Sequence, residues 1–309
     1  MMARVPGGTF TMGEDRFYPE EGPKRQVEVD GFWIDESPVT VAEFARFVEE
    51  TGHVTGAEVA PSAEDHPDAD PKLLIPGSIV FAKTSGPADL RDPNSWWAWT
   101  PGASWRHPEG PGSDVAERSD HPVTHVAFAD AEAYAAWASK SLPTEAEWEC
   151  AARGGLDGAA FAWGEEMNPG GERMANYWRG EFPWQDLSEA GHGTSPVGSY
   201  PANAFGLSDM TGNVWEWTSD YFTVGSVGAP KSCCTPRNPR HDDPSVSLVD
   251  GEPGAHIPRR AIKGGSHLCS PNYCLRFRPA ARQSETVDTS TSHIGFRCIL
   301  RGEDEPSPI

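Results

Sequence analysis

Cys269 and Cys274 bracket the tetrapeptide Ser-Pro-Asn-Tyr, and two thiols so placed can close a disulfide, pass electrons as a dithiol, or clamp a metal ion. Geometry limits how they meet. On a helix, five residues turn by about 500° and leave the side chains about 140° apart. On a straight strand an odd spacing sends them to opposite faces. The thiols converge only if Pro271 and Asn272 form the centre of a tight turn. Zinc is a poor match, because it wants four N or S ligands and no second pair has CxxC-like spacing. Cys233-Cys234 is adjacent within a polar loop and reads as incidental. Two soft thiolates with no other ligand in view suit Cu(I). Spacing alone leaves three readings open: a redox dithiol or disulfide, a metal clamp, and two core thiols.

The frame around the pair must be short-segmented. With 32 Gly and 29 Pro among 309 residues, long regular helices have no room, while 12 Trp and 13 Phe supply a core. An α+β domain with little regular structure follows, its loops held by aromatic packing. Three helices are predicted. In PVTVAEFARFVEETG, Thr40 and Glu43 form a capping box, Phe44, Phe47 and Val48 share a face, and Gly52 ends the helix. In ADAEAYAAWASK, Asp130 is the expected cap, with Tyr134, Ala135 and Ala138 inward. In LPTEAEWECAARGG, Thr144 and Glu147 form a second capping box, and Gly154 or Gly155 stops the helix. Strands are expected at RQVEVDGFWI, HPVTHVAF, RRAIKGG and GFRCIL. Residues 54–120 read as long loops carrying Trp96, Trp97, Trp99 and Trp105, and residues 224–256 as a polar surface excursion. A single domain over 1–303 is expected, followed by a disordered tail, 304–309.

The net charge of −21 argues against nucleic acid and against an anionic membrane surface, both of which need clustered Lys and Arg. The N-terminal residues show no apolar signal core, and no window approaches the ~20 apolar residues of a membrane helix. The expectation is a cytoplasmic monomer, in a reducing compartment that disfavours structural disulfides.

Several segments in one order change the weight of the cysteine pair. PGGTFTMG, WRHPEGPGS, DHPVTHVAFADAEAYAAWA, LPTEAEWECAARGGL, GNVWEWTSD, KGGSHLCSPNYCLRFRPAAR and GFRC together resemble the formylglycine-generating enzymes, or sulfatase-modifying factors, of the bacterial, actinobacterial type. The resemblance covers nearly the whole chain, and the CxxxxC pair after KGGS is its most specific part. It implies a fold related to C-type lectins. It implies an oxidase that converts the cysteine of a Cys-x-Pro-x-Arg segment in an unfolded sulfatase to Cα-formylglycine with O2. Cys269 and Cys274 would hold Cu(I), a disulfide between them being an off-cycle state, with Ser266, Tyr273 and Trp215 beside the metal. Trp96, Ser78 and Arg278 would contact the peptide, while acidic positions that receive the substrate arginine are Pro38 and Gly77 here. Structural Ca2+ is implied at Asp209, Gly212, Val214 and Glu216. A second calcium site is implied at Asn176, Tyr177, Glu189 and Gly191. Disulfides of secreted relatives map to Ala135 with Cys298 and Ala152 with Pro279, so Cys150 and Cys298 are expected as buried free thiols.

Two other readings compete. A non-heme iron oxygenase of the ergothioneine sulfoxide synthase type would need two His and a carboxylate, for which only His121 and His125 offer a start, and Pro122 disfavours the helix that would align them. A peptide-binding paralogue without catalysis would keep the fold and lack the cysteine pair.

Overall fold

Thr40 caps the first helix as its sequence dictates. Its hydroxyl accepts from Glu43 N, and the Glu43 carboxylate takes the Thr40 amide at 2.9 Å; Gly52 closes the helix at φ 71°. This computed structural model describes residues 1–67, 69–188, 191–223, 235–248 and 254–302. Helix α1 (Val41–Thr51) buries Phe44, Phe47 and Val48, as its spacing requires. Helix α3 (Glu145–Arg153) has the Thr144–Glu147 capping box and stops at Gly154, in the left-handed region. Helix α2 (Phe128–Trp137) begins earlier than expected. Asp130 is not its cap but lies in the first turn, where its carboxylate accepts from Ala127 N at 2.8 Å and from His53.

Strands β1 (Met2–Val5), β4 (Phe32–Asp35) and β11 (Ile299–Arg301) form an antiparallel sheet, β1-β4-β11. Strands β2 (Gly8–Met12) and β3 (Arg25–Val29) form a ribbon, and β5 (Gly77–Phe81) pairs with β6 (Trp97–Pro101) inside the region expected to be loop. A four-stranded sheet, β10-β7-β8-β9, carries the site: β7 (Trp215–Tyr221), β8 (Arg259–Lys263), β9 (Arg282–Thr286) and the short β10 (Ile294–Gly295), which alone is parallel to its neighbour. RQVEVDGFWI is therefore two strands with a turn, and GFRCIL is split between β10 and β11. HPVTHVAF is not a strand: His125 sits at φ 61°, and its segment contributes only an isolated bridge from Pro122 to Thr40. The fold is α+β, with three helices among the described residues. Cys233, Cys234, Glu189 and the expected boundary at 303 lie outside them.

Three apolar clusters fill the interior among the described residues, the smallest being Phe81, Trp96, Trp178, Phe182 and Leu268 beside the site. One gathers α1 and α2 with Trp105, Trp215, Trp217, Phe277 and Phe296; another packs α3 and Trp148 against β1 to β4. Between α3 and the site sheet runs a buried ion network. Lys263, fully buried, lies 3.0 Å from Glu149 and 3.6 Å from Glu145; Arg282 grips Glu145 at 2.6 and 2.8 Å, and Arg153 meets Glu149 at 2.7 Å. Ordered ion pairs of this kind fix the ends of β8 and β9 against the helix, which is where the site begins.

Candidate active site

Lys263 and Arg282 stand opposite each other in the β8–β9 register, and the chain between them, 264–281, is a loop hung from two adjacent strands. Gly264 and Gly265 turn it off the sheet at φ 93° and 70°. A Cβ at Gly264 would lie 2.8 Å from Met210 O, and one at Gly265 2.6 Å from Arg276 O, so neither position accepts another residue without displacing backbone. Inside the loop, Cys269 N donates to Ser266 O, and Tyr273 N and Cys274 N both donate to Ser270 O. Ser-Pro-Asn-Tyr thus forms the tight turn that the spacing demanded. The Cys269 and Cys274 sulfurs come within 3.1 Å, too far for the ~2.05 Å of a disulfide, and both thiols are free.

Their protonation is unequal. Burial alone would raise the Cys269 thiol, but the S–H of Cys274 donated to it, the Ser266 amide at 3.4 Å and the Arg276 charge outweigh burial and lower it. Cys274, donating that hydrogen bond and buried as well, is held well above the usual thiol range. The pair is therefore set to lose one proton first, from Cys269. Arg276 supplies a nearby cation, itself held by Glu20 at 2.7 Å and stacked 4.2 Å over Tyr18.

The thiols lie on a cavity of about 210 Å³ whose walls are largely aromatic: Tyr18, Trp96, Trp97, Phe182, Trp215 and Tyr273. Ser266 also lines it, its hydroxyl accepting from Leu268 N. Trp96 packs edge-on against Phe182 and Tyr273, whose rings stack 4.7 Å apart. Five expected site residues and the expected peptide contact Trp96 are thus in one place. Two are not. Ser78 is fully buried, donating to Ser290 O at 2.7 Å and meeting His125 Nδ1 at 2.8 Å; Arg278 is fully buried in a bidentate pair with Glu21. Neither lines this cavity; both side chains are engaged within the protein. Tyr18, Trp97, Phe182, Leu268, Arg276, Gln283 and His293 line the cavity without having been singled out. Arg276 stood two residues beyond Cys274 and could have been found by asking what neutralises a thiolate. Nothing in the spacing pointed to residues 18 or 293.

The metal sets fare differently. Both oxygens of Glu216 accept from Arg297, at 2.7 to 3.0 Å, and Oε2 also accepts from Trp148 Nε1 at 2.7 Å, so the carboxylate is turned to protein donors. Asp209 accepts from Gly198 N at 2.7 Å, and burial raises its carboxyl. At the second set, the Tyr177 carbonyl accepts from Arg173, whose guanidinium stacks 4.4 Å over the Tyr177 ring, so a cation already sits there. Asn176 is turned to Gly193 O, and of Gly191 only its left-handed φ of 79° bears on a turn. As placed, these side chains are engaged with protein groups rather than turned to a common ion. With those contacts kept, the melting temperature should differ by no more than about 1 °C between EGTA and millimolar Ca2+, since an ion that binds only the folded state stabilises it by mass action. A rise of several degrees with Ca2+ would mean that the contacts open to hold the ion.

His121 and His125 do not form a metal site: His121 Nδ1 meets Thr194, His125 is sealed behind Ser78, and burial lowers the His125 imidazole to about 3. Among the described residues no group of three His, Cys, Asp or Glu side chains could hold a metal. Cys150 and Cys298 are buried and unbonded, with burial pushing the Cys150 thiol up to about 12.

The model of the sulfatase-modifying factor enzyme 1-like domain matches residues 1–301. The chain belongs to that family. Within it, the chain is 51% identical to the formylglycine-generating enzyme of Mycobacterium tuberculosis over 96% of both chains. It is also 36% identical to the inactive Cα-formylglycine-generating enzyme 2 of Bos taurus, over all of this chain and 90% of that one. Among solved structures, PvdO from Pseudomonas aeruginosa superposes with a TM-score of 0.59 at 25% identity, covering 96% of this chain and 93% of that one. No helix among the described residues is long and apolar enough to cross a membrane.

Proposed function

We propose that this family member oxidises the cysteine of a Cys-x-Pro-x-Arg segment in an unfolded sulfatase to Cα-formylglycine, using O2 and a Cu(I) ion held by Cys269 and Cys274. The observation that carries the reading is the pair of unbonded thiols, 3.1 Å apart, on a solvent-connected aromatic cavity. Catalytic and inactive relatives share the frame, and a protein that only bound peptide would have no use for two free sulfurs facing its cleft.

The donor set fits copper(I): two soft sulfurs, one already disposed to lose its proton, with no hard oxygen ligand beside them. When bound, the ion would supply a soft anchor for the substrate sulfur and a site of O2 activation. The protein's own residues do the rest. Arg276 offsets the negative charge that thiolates accumulate in a buried place. Trp96 and Trp215, both buried, press on the cavity and limit the water that enters it. The Ser266 amide fixes the Cys269 sulfur, and the Tyr273 ring, stacked on Phe182, closes the outer wall. Work in a reducing cytoplasm accords with the unbonded Cys150 and Cys298.

The test is conversion of a synthetic Cys-Thr-Pro-Ser-Arg peptide, followed by mass spectrometry with copper and air, with a copper chelator, and under nitrogen. Conversion only in the first condition is expected. Conversion that persists with the chelator would sink the copper reading, and bound peptide that never converts would favour a binding role.

A further inference from the structure

His293 is a cavity residue whose hydrogen bonding is unfinished. It precedes β10, and its carbonyl accepts from Trp215 N at 2.9 Å, which ties it to the strand that carries the cavity wall. Its ring lies 4.7 Å from the Trp97 ring, and it lines the same cavity as the two cysteines. On the inner side, Nδ1 is 2.6 Å from Thr291 Oγ1. That hydroxyl has no other acceptor among the described residues, its one further contact being a hydrogen bond received from His293 N. The hydroxyl therefore donates to Nδ1, and the ring proton resides on Nε2. Burial, with His267 and His125 close by, lowers the imidazole to about 3, so the ring is neutral and Nε2–H is its single donor. Nε2 has no protein partner among the described residues. Unlike the sealed Nε2 of His125, it keeps access to the cavity. The indole N–H of Trp96, buried in the same wall, also lacks a partner.

We propose that His293 Nε2–H donates a hydrogen bond to a backbone carbonyl of the client peptide beside the cysteine to be oxidised, positioning that residue over the sulfur pair. The inference rests on the proposed function. A peptide entering the cavity buries amide oxygens, and each one left without a partner costs as much as a lost hydrogen bond. A neutral donor, fixed from behind by Thr291 and flanked by Trp97, matches a neutral carbonyl. It also serves any client sequence, because it reads backbone.

The experiment separates binding from chemistry. Copper-free wild type, His293→Leu and His293→Gln are titrated with a fluorescent peptide in which serine replaces the target cysteine, so that no sulfur contributes. His293→Leu should weaken binding roughly five- to tenfold, the scale of one hydrogen bond. His293→Gln, which returns an N–H to a similar place, should stay within about twofold of wild type on the same scale. With copper, air and the cysteine peptide, the leucine variant should show at least the same factor in KM, and the glutamine variant should not. Equal binding by the leucine variant would overturn the assignment. So would an equal loss in the glutamine variant, which would make the ring's packing on Trp97 the cause. Failure of the function itself looks different: wild type binds the serine peptide and never converts the cysteine one.

Discussion

Replacing Cys269 or Cys274 with serine is expected to lower formylglycine formation by roughly 10⁴-fold, the scale on which losing one member of a catalytic unit acts. The double variant should be no worse than either single one, because two sulfurs on one ion work as a unit. Copper retention, measured by competition with a chelator, should fall in both single variants. The fold should survive: serine is nearly isosteric, its hydroxyl can accept from the Ser266 amide as the Cys269 sulfur does, and the loop is held at its ends by β8 and β9. Melting curves close to wild type would confirm this. A single variant that keeps a substantial share of the activity would sink the two-thiolate clamp. Activity lost with copper binding intact in both variants would turn the pair into an electron shuttle.

The second large effect concerns stability. Lys263→Met is expected to cost about 3–5 kcal/mol, because it leaves Glu145 and Glu149 buried together with one cation fewer. For a chain of this size that is a fall on the order of 10 °C in melting temperature. The same network predicts acid sensitivity. Burial alone would raise the Glu145 carboxyl, but Arg282 and Lys263 more than offset it and take it from 4.5 down to about 2. A depressed folded value means the contribution is present above pH 4.5 and is lost as pH falls from there toward 2. Chemical denaturation at pH 7, 4.5 and 3 should show wild type losing stability over that span, and Lys263→Met losing less of it. A Lys263→Met protein as stable as wild type would show that the apolar contacts of Trp148 hold α3 without the ions.

The helices with capping boxes were legible because caps are local: Thr40 with Glu43 and Thr144 with Glu147 are satisfied within one turn. Asp130 misled because its carboxylate does serve a backbone amide, that of Ala127, but from the third position of the helix. Strand β7 was not among the expected strands although Trp215, Glu216, Trp217 and Thr218 alternate apolar and polar; all four are buried, so the alternation marks no solvent face. HPVTHVAF alternated and yet is not a strand, because His125 takes a left-handed turn and spends its side chain on Ser78. At the site, the cysteines were legible from chemistry and spacing, and their turn from Pro271 and Asn272. Ser78 and Arg278 were placed by resemblance alone, and both are buried without lining the cavity. Tyr18 and His293 reach the cavity from segments about 250 and 20 residues away from the cysteines, a convergence set by the tertiary fold rather than by local sequence.

The loop 264–281 leaves the sheet after Lys263 and returns at Arg282, two residues that face each other in the ladder and are both anchored to α3. The reactive turn is thus an appendage on a closed frame, and the frame's ion network does not pass through the sulfurs. Such a design separates heritable shape from heritable chemistry. Two point changes at Cys269 and Cys274 would disarm the chain while leaving its surface and cleft in place, so a gene duplicate could turn from a modifying enzyme into a chaperone-like receptor for the same clients without ever passing through an unfolded intermediate.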